Sequence, residues 1–391
     1  MLILVANLGS TSFKYQLFRM AEQGGEVIAK GGYERVADYA AVIDDALASL
    51  QRDGIIKGPD DIDAVGFKTV LGKDLSGCVM ADQAVIDALE GFRSVAPAHN
   101  PPYAAGIRQF GKSLPKARLV ALFETAFYQW TSTASATYAV PRAWRDLGIR
   151  RYGFHGASHK FIAERSAELC GREDVADIAR RLYRDGPKPV TGRPFRVISC
   201  HLGGSSSITG ILNGVAIGSS MGFSPQSGLP QNNRVGELDS GAIPYAMRAL
   251  GITLDEAERQ LTKESGLLGI SGTSNDVRDI GLAAGAGNPD ARLALDTLVH
   301  SIRHWIGAFL LDLGGLDALV FTAGIGENNP DLRAEVCQNL EAFGIHLDAA
   351  PNNTCKAREA LISTADSPVK IFVIPANEEL VLAREVFRKL S

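Results

Sequence analysis

Two short strings in this 391-residue chain carry residues suited to gripping phosphate. "NLGSTS" at 7–12 and "HLGGSSS" at 201–207 each follow an apolar run (Leu2 to Val5; Val197 and Ile198), and each leads into another. Glycine and small hydroxyl residues at such a turn leave backbone N–H groups open to the oxygens of a phosphate. An ordinary hairpin loop is the alternative reading of either string taken alone. The offset between the two, 194 residues, is close to half the chain and points to a duplicated domain with one hydroxyl-rich hairpin in each half. Two such hairpins facing each other across a cleft could hold the two ends of a polyphosphate.

Other groups suit the same chemistry. His155 and His159 in "GFHGASH" stand four apart, as zinc ligands on a helix would. Gly156, where a metalloprotease has its catalytic Glu, favours contact with an anionic substrate over metal, and a purely structural pair of histidines is the third reading. Glu124 follows "RLVALF", at the carboxyl end of an expected strand, where open α/β sheets bind ligands; a solvated strand end is the plainer reading. "ALVFTAGIGEN", 318 to 328, is a strand followed by Gly324-x-Gly326, which lets a nucleotide approach the backbone but lacks the full dinucleotide fingerprint. In "VIPANEEL", Asn377 is an expected N-cap, with Glu378 and Glu379 in the first helical turn. These acids either complement the helix dipole or hold the waters of a magnesium ion. Gly106 to Ser113 spells a P-loop letter for letter, but its bulky middle and the Pro115 that follows make it the tail of a helix.

The elements that must position these groups alternate, as in an α/β protein. Strands are expected at 64–70, 118–123, 196–200, 318–322 and 370–374. Helices are expected at 82–92, 103–114, 160–169, 243–250, 291–313 and 378–389, with a surface helix ending in a loop over 177–194. Length and 46% hydrophobic content allow two to three domains with a large core. A net charge of -4 gives no case for nucleic acid or an anionic membrane as partner. Five scattered cysteines without a CxxC pair indicate neither a disulfide framework nor a zinc ribbon, and fit a reducing compartment. No run approaches the ~18 apolar residues of a membrane helix, and no secretory signal is evident, so the expected location is cytoplasmic.

Taken in order, "NLGSTSFKYQLF", "APAHNPPY", "FETAFYQ", "YGFHGASHK", "ISCHLGGSSS", "SMGFSPQSGL", "SGLLGISGTSNDVRDI", "FTAGIGEN" and "IPANEEL" resemble the acetate kinase family, whose members phosphorylate short carboxylates with ATP. The resemblance implies an α/β fold of the duplicated actin-like (ribonuclease H-like) ATPase type, two domains with a central cleft, divided as 1–146 plus 376–391 and 147–375. It implies ATP/ADP and Mg2+ as cofactors, a small carboxylate as substrate and a homodimer as the assembly. Carried over residue by residue, it makes Asn7 and Glu378 the magnesium side. His155 and Arg234 face the transferring phosphoryl, and Glu124 and Lys68 stand at the catalytic positions. The nucleotide falls to Lys14, to His201 with Gly203, Gly204 and Ser205 of the second hairpin, to Asp276, Val277 and Arg278, and to Gly324, Ile325, Gly326 and Asn328. Lys68, Val70, Ala98, His99, Phe154 and Pro225 surround the carboxylate.

Departures accompany the likeness. The family's "GHRVVHGG" reads Gly66 to Lys73 here, so its Arg is Lys68, which keeps the charge without the planar fork, and both its histidines are gone. Its catalytic Asp is Glu124, "GTRSGD" reads Asn232 to Glu237, and the Asn of "HLGNG" is Gly204. Ala98, where a larger Leu is usual, opens room for a longer acyl chain. The implied chemistry needs no strong base, because a carboxylic acid with a pKa of about 4–5 is ionised at pH 7. It needs charge neutralisation and alignment, expected from magnesium, Arg234, Lys68 and His155, for direct in-line transfer to an acyl phosphate. A non-catalytic nucleotide sensor, and a kinase of the same fold with another phosphate donor or a longer acid, are the rival readings.

Overall fold

In the computed structural model every residue is described except Ser10, Gln23, Pro97 and Ala98. The expectations for Ala98 and for Ser10 of the first hairpin lie outside the described residues.

Two six-stranded sheets form the frame. The first contains β1 (Leu2–Leu8), β2 (Ser12–Ala21), β3 (Gly24–Glu34), β4 (Ala64–Thr69), β5 (Cys78–Met80) and β6 (Arg118–Phe123) in the order β3-β2-β1-β4-β6-β5. The second contains β7 (Arg196–Leu202), β8 (Ser206–Leu212), β9 (Val215–Ser219), β10 (Ala318–Thr322), β11 (Ala360–Leu361) and β12 (Lys370–Val373) in the order β11-β12-β10-β7-β8-β9. Read from the opposite edge, the second order is the first with each strand number raised by six. Pairing directions repeat as well: β1 is antiparallel to β2 and parallel to β4, as β7 is to β8 and β10. The registers correspond, with the second hairpin one residue shorter. Asn7 pairs with Lys14 and His201 with Ser207, so the two hairpins place Asn7 and His201 at equivalent points. Each β-meander also carries an irregularity at the equivalent place, at Leu17/Phe18 and at Gly210/Ile211. The internal echo is therefore a duplication of the whole α/β unit.

The halves are interlocked by two helices. Gly156–Leu169 follows the first sheet in sequence, yet its Ile162, Ala163 and Ala167 join the apolar cluster of Val197, Ile211, Ala318 and Val320 on the second sheet. Glu378–Leu390 follows the second sheet, yet its Val381, Leu382, Ala383 and Val386 lie in the core of the first. Gly66 permits that docking, since a Cβ there would stand 2.8 Å from Val386 Cγ2. Where the helices meet, Lys160 Nζ lies 2.7 Å from Glu385 Oε1, at 1% and 3% exposure, and Arg388 also bonds Glu385 and Glu164. Leaving one member of such a buried pair unmatched costs about 3–5 kcal/mol. The crossing is thus fixed by charge as well as by apolar contact.

Most expected elements form, with shifted ends. β6 and β10 have the expected limits, while β1 runs on to Leu8 and β7 to Leu202. The helix expected at 103–114 is Asn100–Ser113, because Pro101 and Pro102 fit a first turn, whose N–H groups have no partner in any case. It contains the P-loop-like string. The helix expected from Lys160 begins at Gly156, and the surface helix over 177–194 is Glu173–Asp185. Among the described residues no helix is long and apolar enough to cross a membrane.

Candidate active site

The parallel strands β4 and β6 end side by side and deliver Lys68 and Glu124 into one place. Lys68 Nζ lies 3.0 Å from Glu124 Oε1 and bonds Glu378, the first residue of the last helix. Asn377 caps that helix as expected, accepting from Leu380 N at 3.0 Å. Burial works against the charge on Lys68, but Glu124 and Glu378 outweigh it and hold the ammonium well above its ordinary pKa. Burial pushes the Glu124 carboxyl up, against the pull of Lys68, and leaves its Oε2 without a hydrogen-bond partner among the described residues. Burial would raise Glu378 too, but Lys68 and His201 reverse this and keep it below the usual carboxylate range. Asn7 joins through Tyr103, whose hydroxyl donates to Asn7 Oδ1 at 3.2 Å. Asn7 and Glu378 supply hard oxygen donors, one neutral and one held ionised, which suit magnesium; among the described residues no three His, Cys, Asp or Glu side chains converge on a metal site. The zinc reading of His155 and His159 therefore has no third ligand of these types among the described residues.

Three histidines, His155, His159 and His201, cluster beside these residues. Gly156 must be glycine, since a Cβ there would stand 2.4 Å from the carbonyl oxygen of Glu124, and its N–H donates to that oxygen at 2.9 Å. This close approach forces His155 into the left-handed region at φ 59°. The His155 ring lies parallel to that of His201, 4.1 Å between centroids, and His201 Nδ1 is 2.9 Å from Ser158 Oγ. Burial lowers the pKa of all three. For His155 the neighbouring His201, His159, Lys68 and Arg234 reinforce it, and His201 falls from its ordinary 6.5 to about 4. At neutral pH His155 therefore contributes a hydrogen bond rather than the charge expected of it.

These shifts make a stability prediction. Below pH 6.5 the unfolded chain protonates its histidines, while His201 resists until about pH 4 and His155 and His159 also stay neutral well below 6.5, so stability falls as pH falls below 6.5. Each resisting histidine contributes about 1.4 kcal/mol per pH unit. Calorimetric melting temperatures should drop from pH 7 to pH 5, and a flat profile would show the cluster to be charged or solvated.

Arg234 completes the cleft. Its Nη1 lies 3.4 Å from Ser205 Oγ of the second hairpin, 3.3 Å from Gln231 Oε1 and 3.5 Å from the Pro225 carbonyl. Among the described residues it has no carboxylate partner; burial lowers its pKa, but a guanidinium stays charged. Behind Pro225 an apolar wall is built from Val70, Phe154, Met221 and Phe223. His99, at the cap of the Asn100–Ser113 helix, is half-buried and depressed by burial and then by Arg234 and Lys68. Met221 and Phe223 were not picked out from the sequence, although "SMGFSPQSGL" contains both.

The remaining candidates are placed less centrally. Lys14 sits opposite Asn7 in register, but its ammonium pairs with Glu34 at 3.3 Å on the surface. It lines, with Asn7 and Glu379, an open cavity of about 490 Å³. Asp276 caps the helix Val277–Gly285 and holds Arg278, whose side chain is 88% exposed. Gly324, Ile325, Gly326 and Asn328 form a short helix, Ala323–Asn328, at the end of β10. A Cβ on Gly203 would lie 3.7 Å from Ala323, so the second hairpin abuts this segment, and Gly204 adjoins Asn232. Beneath it the fully buried Arg333, missed in the sequence, donates to the carbonyls of Gly326, Asn352 and Cys355.

Known proteins resemble this chain over nearly its whole length. Residues 29–384 match the acetokinase family. The chain is 40% identical to an acetate kinase of Geobacillus kaustophilus, covering 99% of this chain and 98% of that one. Crystal structures of a Porphyromonas gingivalis acetate kinase (TM-score 0.90, 33% identity, 100% of both chains) and a Francisella tularensis propionate kinase (TM-score 0.83, 31% identity, 98% of both) are similar to it.

Proposed function

This chain belongs to the acetokinase family, kinases with a carboxyl group as phosphoryl acceptor and a duplicated actin-like fold, and we propose that its cleft moves the γ-phosphoryl of ATP reversibly and in line onto acetate or another short acid such as propionate. The observation that carries this reading is Arg234: a half-buried cation without a carboxylate partner among the described residues, set between a hydroxyl-rich hairpin and an apolar wall. Such a charge calls for an anion, and the two sides of the site differ as phosphate and acyl tail differ. Carboxylate and triphosphate repel each other, so alignment and charge compensation do most of the catalytic work. Arg234 supplies fixed positive charge, Lys68 offsets the carboxylates of Glu124 and Glu378, His155 donates a hydrogen bond, and Val70, Phe154, Met221 and Phe223 exclude water from the acyl end. Asn7 and Glu378 would hold magnesium, which when bound would offset the negative charge of the donor phosphates.

Incubating the protein with ADP, acetyl phosphate and magnesium should produce ATP resonances in 31P NMR, and EDTA should stop this until magnesium is restored. Failure to form ATP from acetyl or propionyl phosphate would remove the reading. We further propose a homodimer. The helix Ala242–Leu250 buries none of its residues, and Tyr245 (70%), Leu250 (67%) and Leu254 (54%) lie exposed together in sequence. Sedimentation should give twice the 41.7 kDa chain mass, with Tyr245→Glu shifting it towards one; a monomeric wild type would refute the assembly.

A further inference from the structure

Behind His155 lies a chain of side chains with no assigned role. Strand alternation puts Ser199 and His201 of β7 on one face, and the register puts Ser207 of β8 beside His201. The helix carrying Ser158 and His159 covers that face. Ser207 Oγ is 2.8 Å from both His155 Nδ1 and His159 Nε2, and His159 Nδ1 is 2.8 Å from Ser199 Oγ. Ser199, Ser207 and His159 are fully buried.

Proton counting leaves this chain two states. A serine hydroxyl has one hydrogen and two lone pairs, and among the described residues the Ser207 hydroxyl meets only the two imidazoles, so its hydrogen goes to one and it accepts from the other. Neutral His159 has one N–H, so it also donates at one end only. In the first state Ser199 donates to His159 Nδ1, His159 Nε2–H to Ser207, and Ser207 to His155 Nδ1, which leaves the proton of His155 on Nε2. In the second every bond reverses, and His155 presents a bare lone pair on Nε2. Facing an anionic phosphoryl oxygen, the first state attracts and the second repels.

We propose that Ser207, His159 and Ser199 are positioning residues that lock His155 with its proton on Nε2, so that it donates to a phosphoryl oxygen. The sense of the lock rests on the carboxylate-kinase reading, but the tautomer is measurable without substrate. In 15N-histidine-labelled protein at pH 7.5, two-bond 1H–15N spectra should show His155 and His159 both protonated on Nε2, with assignments from His155→Gln and His159→Gln. Ser207→Ala should mix the His155 tautomers and lower kcat about 10- to 100-fold, with KM for ATP and acid nearly unchanged. Ser207→Thr, which keeps the hydroxyl, should restore both. Ser199→Ala should disturb the His159 signal first.

A wild-type His155 protonated on Nδ1 would overturn the proposal. So would a folded Ser207→Ala protein, checked by its melting curve, with unchanged tautomer and kcat; if that variant does not fold, Ser199→Ala with an unaltered His159 signal overturns it instead. Wild-type protein that shows the Nε2 pattern but transfers no phosphoryl group would support the tautomer and overturn the functional reading.

Discussion

Arg234→Ala is expected to lower kcat by about 10³-fold while the melting temperature stays within a few degrees of wild type. Among the described residues the guanidinium bonds neutral oxygens alone, those of Ser205, Gln231 and Pro225, so its removal leaves none of their carboxylates unmatched and little stability is lost. Its loss is felt when charge spreads over the three oxygens of the migrating phosphoryl, where a fixed cation in a site of low dielectric acts most strongly. Arg234→Lys keeps the charge but not the fork and should recover only part of the rate. ADP release in a coupled assay, with ATP and acetate varied, reads both variants. A kcat within ten-fold of wild type for Arg234→Ala would place the compensating charge elsewhere.

The second large effect concerns Lys68 and Glu124, at the two positions that the resemblance assigns to an Arg and an Asp. The shorter cation meets the longer anion, and Lys68 Nζ still reaches Glu124 Oε1 at 3.0 Å. The two departures therefore read as one compensated exchange. Lys68→Arg alone should crowd Glu124, and Glu124→Asp alone should draw the carboxylate away from the ammonium. Each single change is expected to lower kcat about 10- to 100-fold, and the double change to regain most of it, a coupling of about 2–5 kcal/mol in the double-mutant cycle. Lys68→Met is harsher. It leaves Glu124 and Glu378 buried without their shared cation, so one must protonate, and both kcat and melting temperature should fall. Additive single effects, with no recovery in the double variant, would show that the two residues act independently.

Much of the frame was legible because it depends on local pattern. The strings at 7–12 and 201–207 occupy equivalent hairpins, and the apolar runs at 118–123 and 318–322 are strands with those limits, since burial on both faces needs continuous apolar residues. The prolines after Asn100 were harder to place, because the same residue ends a helix inside and suits one at its first turn. What the sequence could not display were partnerships across long separations. Nothing in either helix marks Lys160 or Glu385, yet they form the buried tie where the halves cross. His159 read as half of a metal pair, as a contact to an anionic substrate or as structure, and its partners Ser199 and Ser207 lie on strands 40 and 48 residues away. Periodicity tells which face is covered; it does not tell which side chain covers it.

The account stands or falls on acyl phosphate formation by the protein itself. Purified chain should be incubated with MgATP, hydroxylamine and each straight-chain acid from two to five carbons, and the acyl hydroxamate measured as its iron complex. Hydroxamate should form with acetate or propionate in step with ADP release, and should vanish in Arg234→Ala. ADP release without hydroxamate, or no turnover with any of these acids in a protein that still binds ADP by calorimetry, would contradict transfer to a carboxylate.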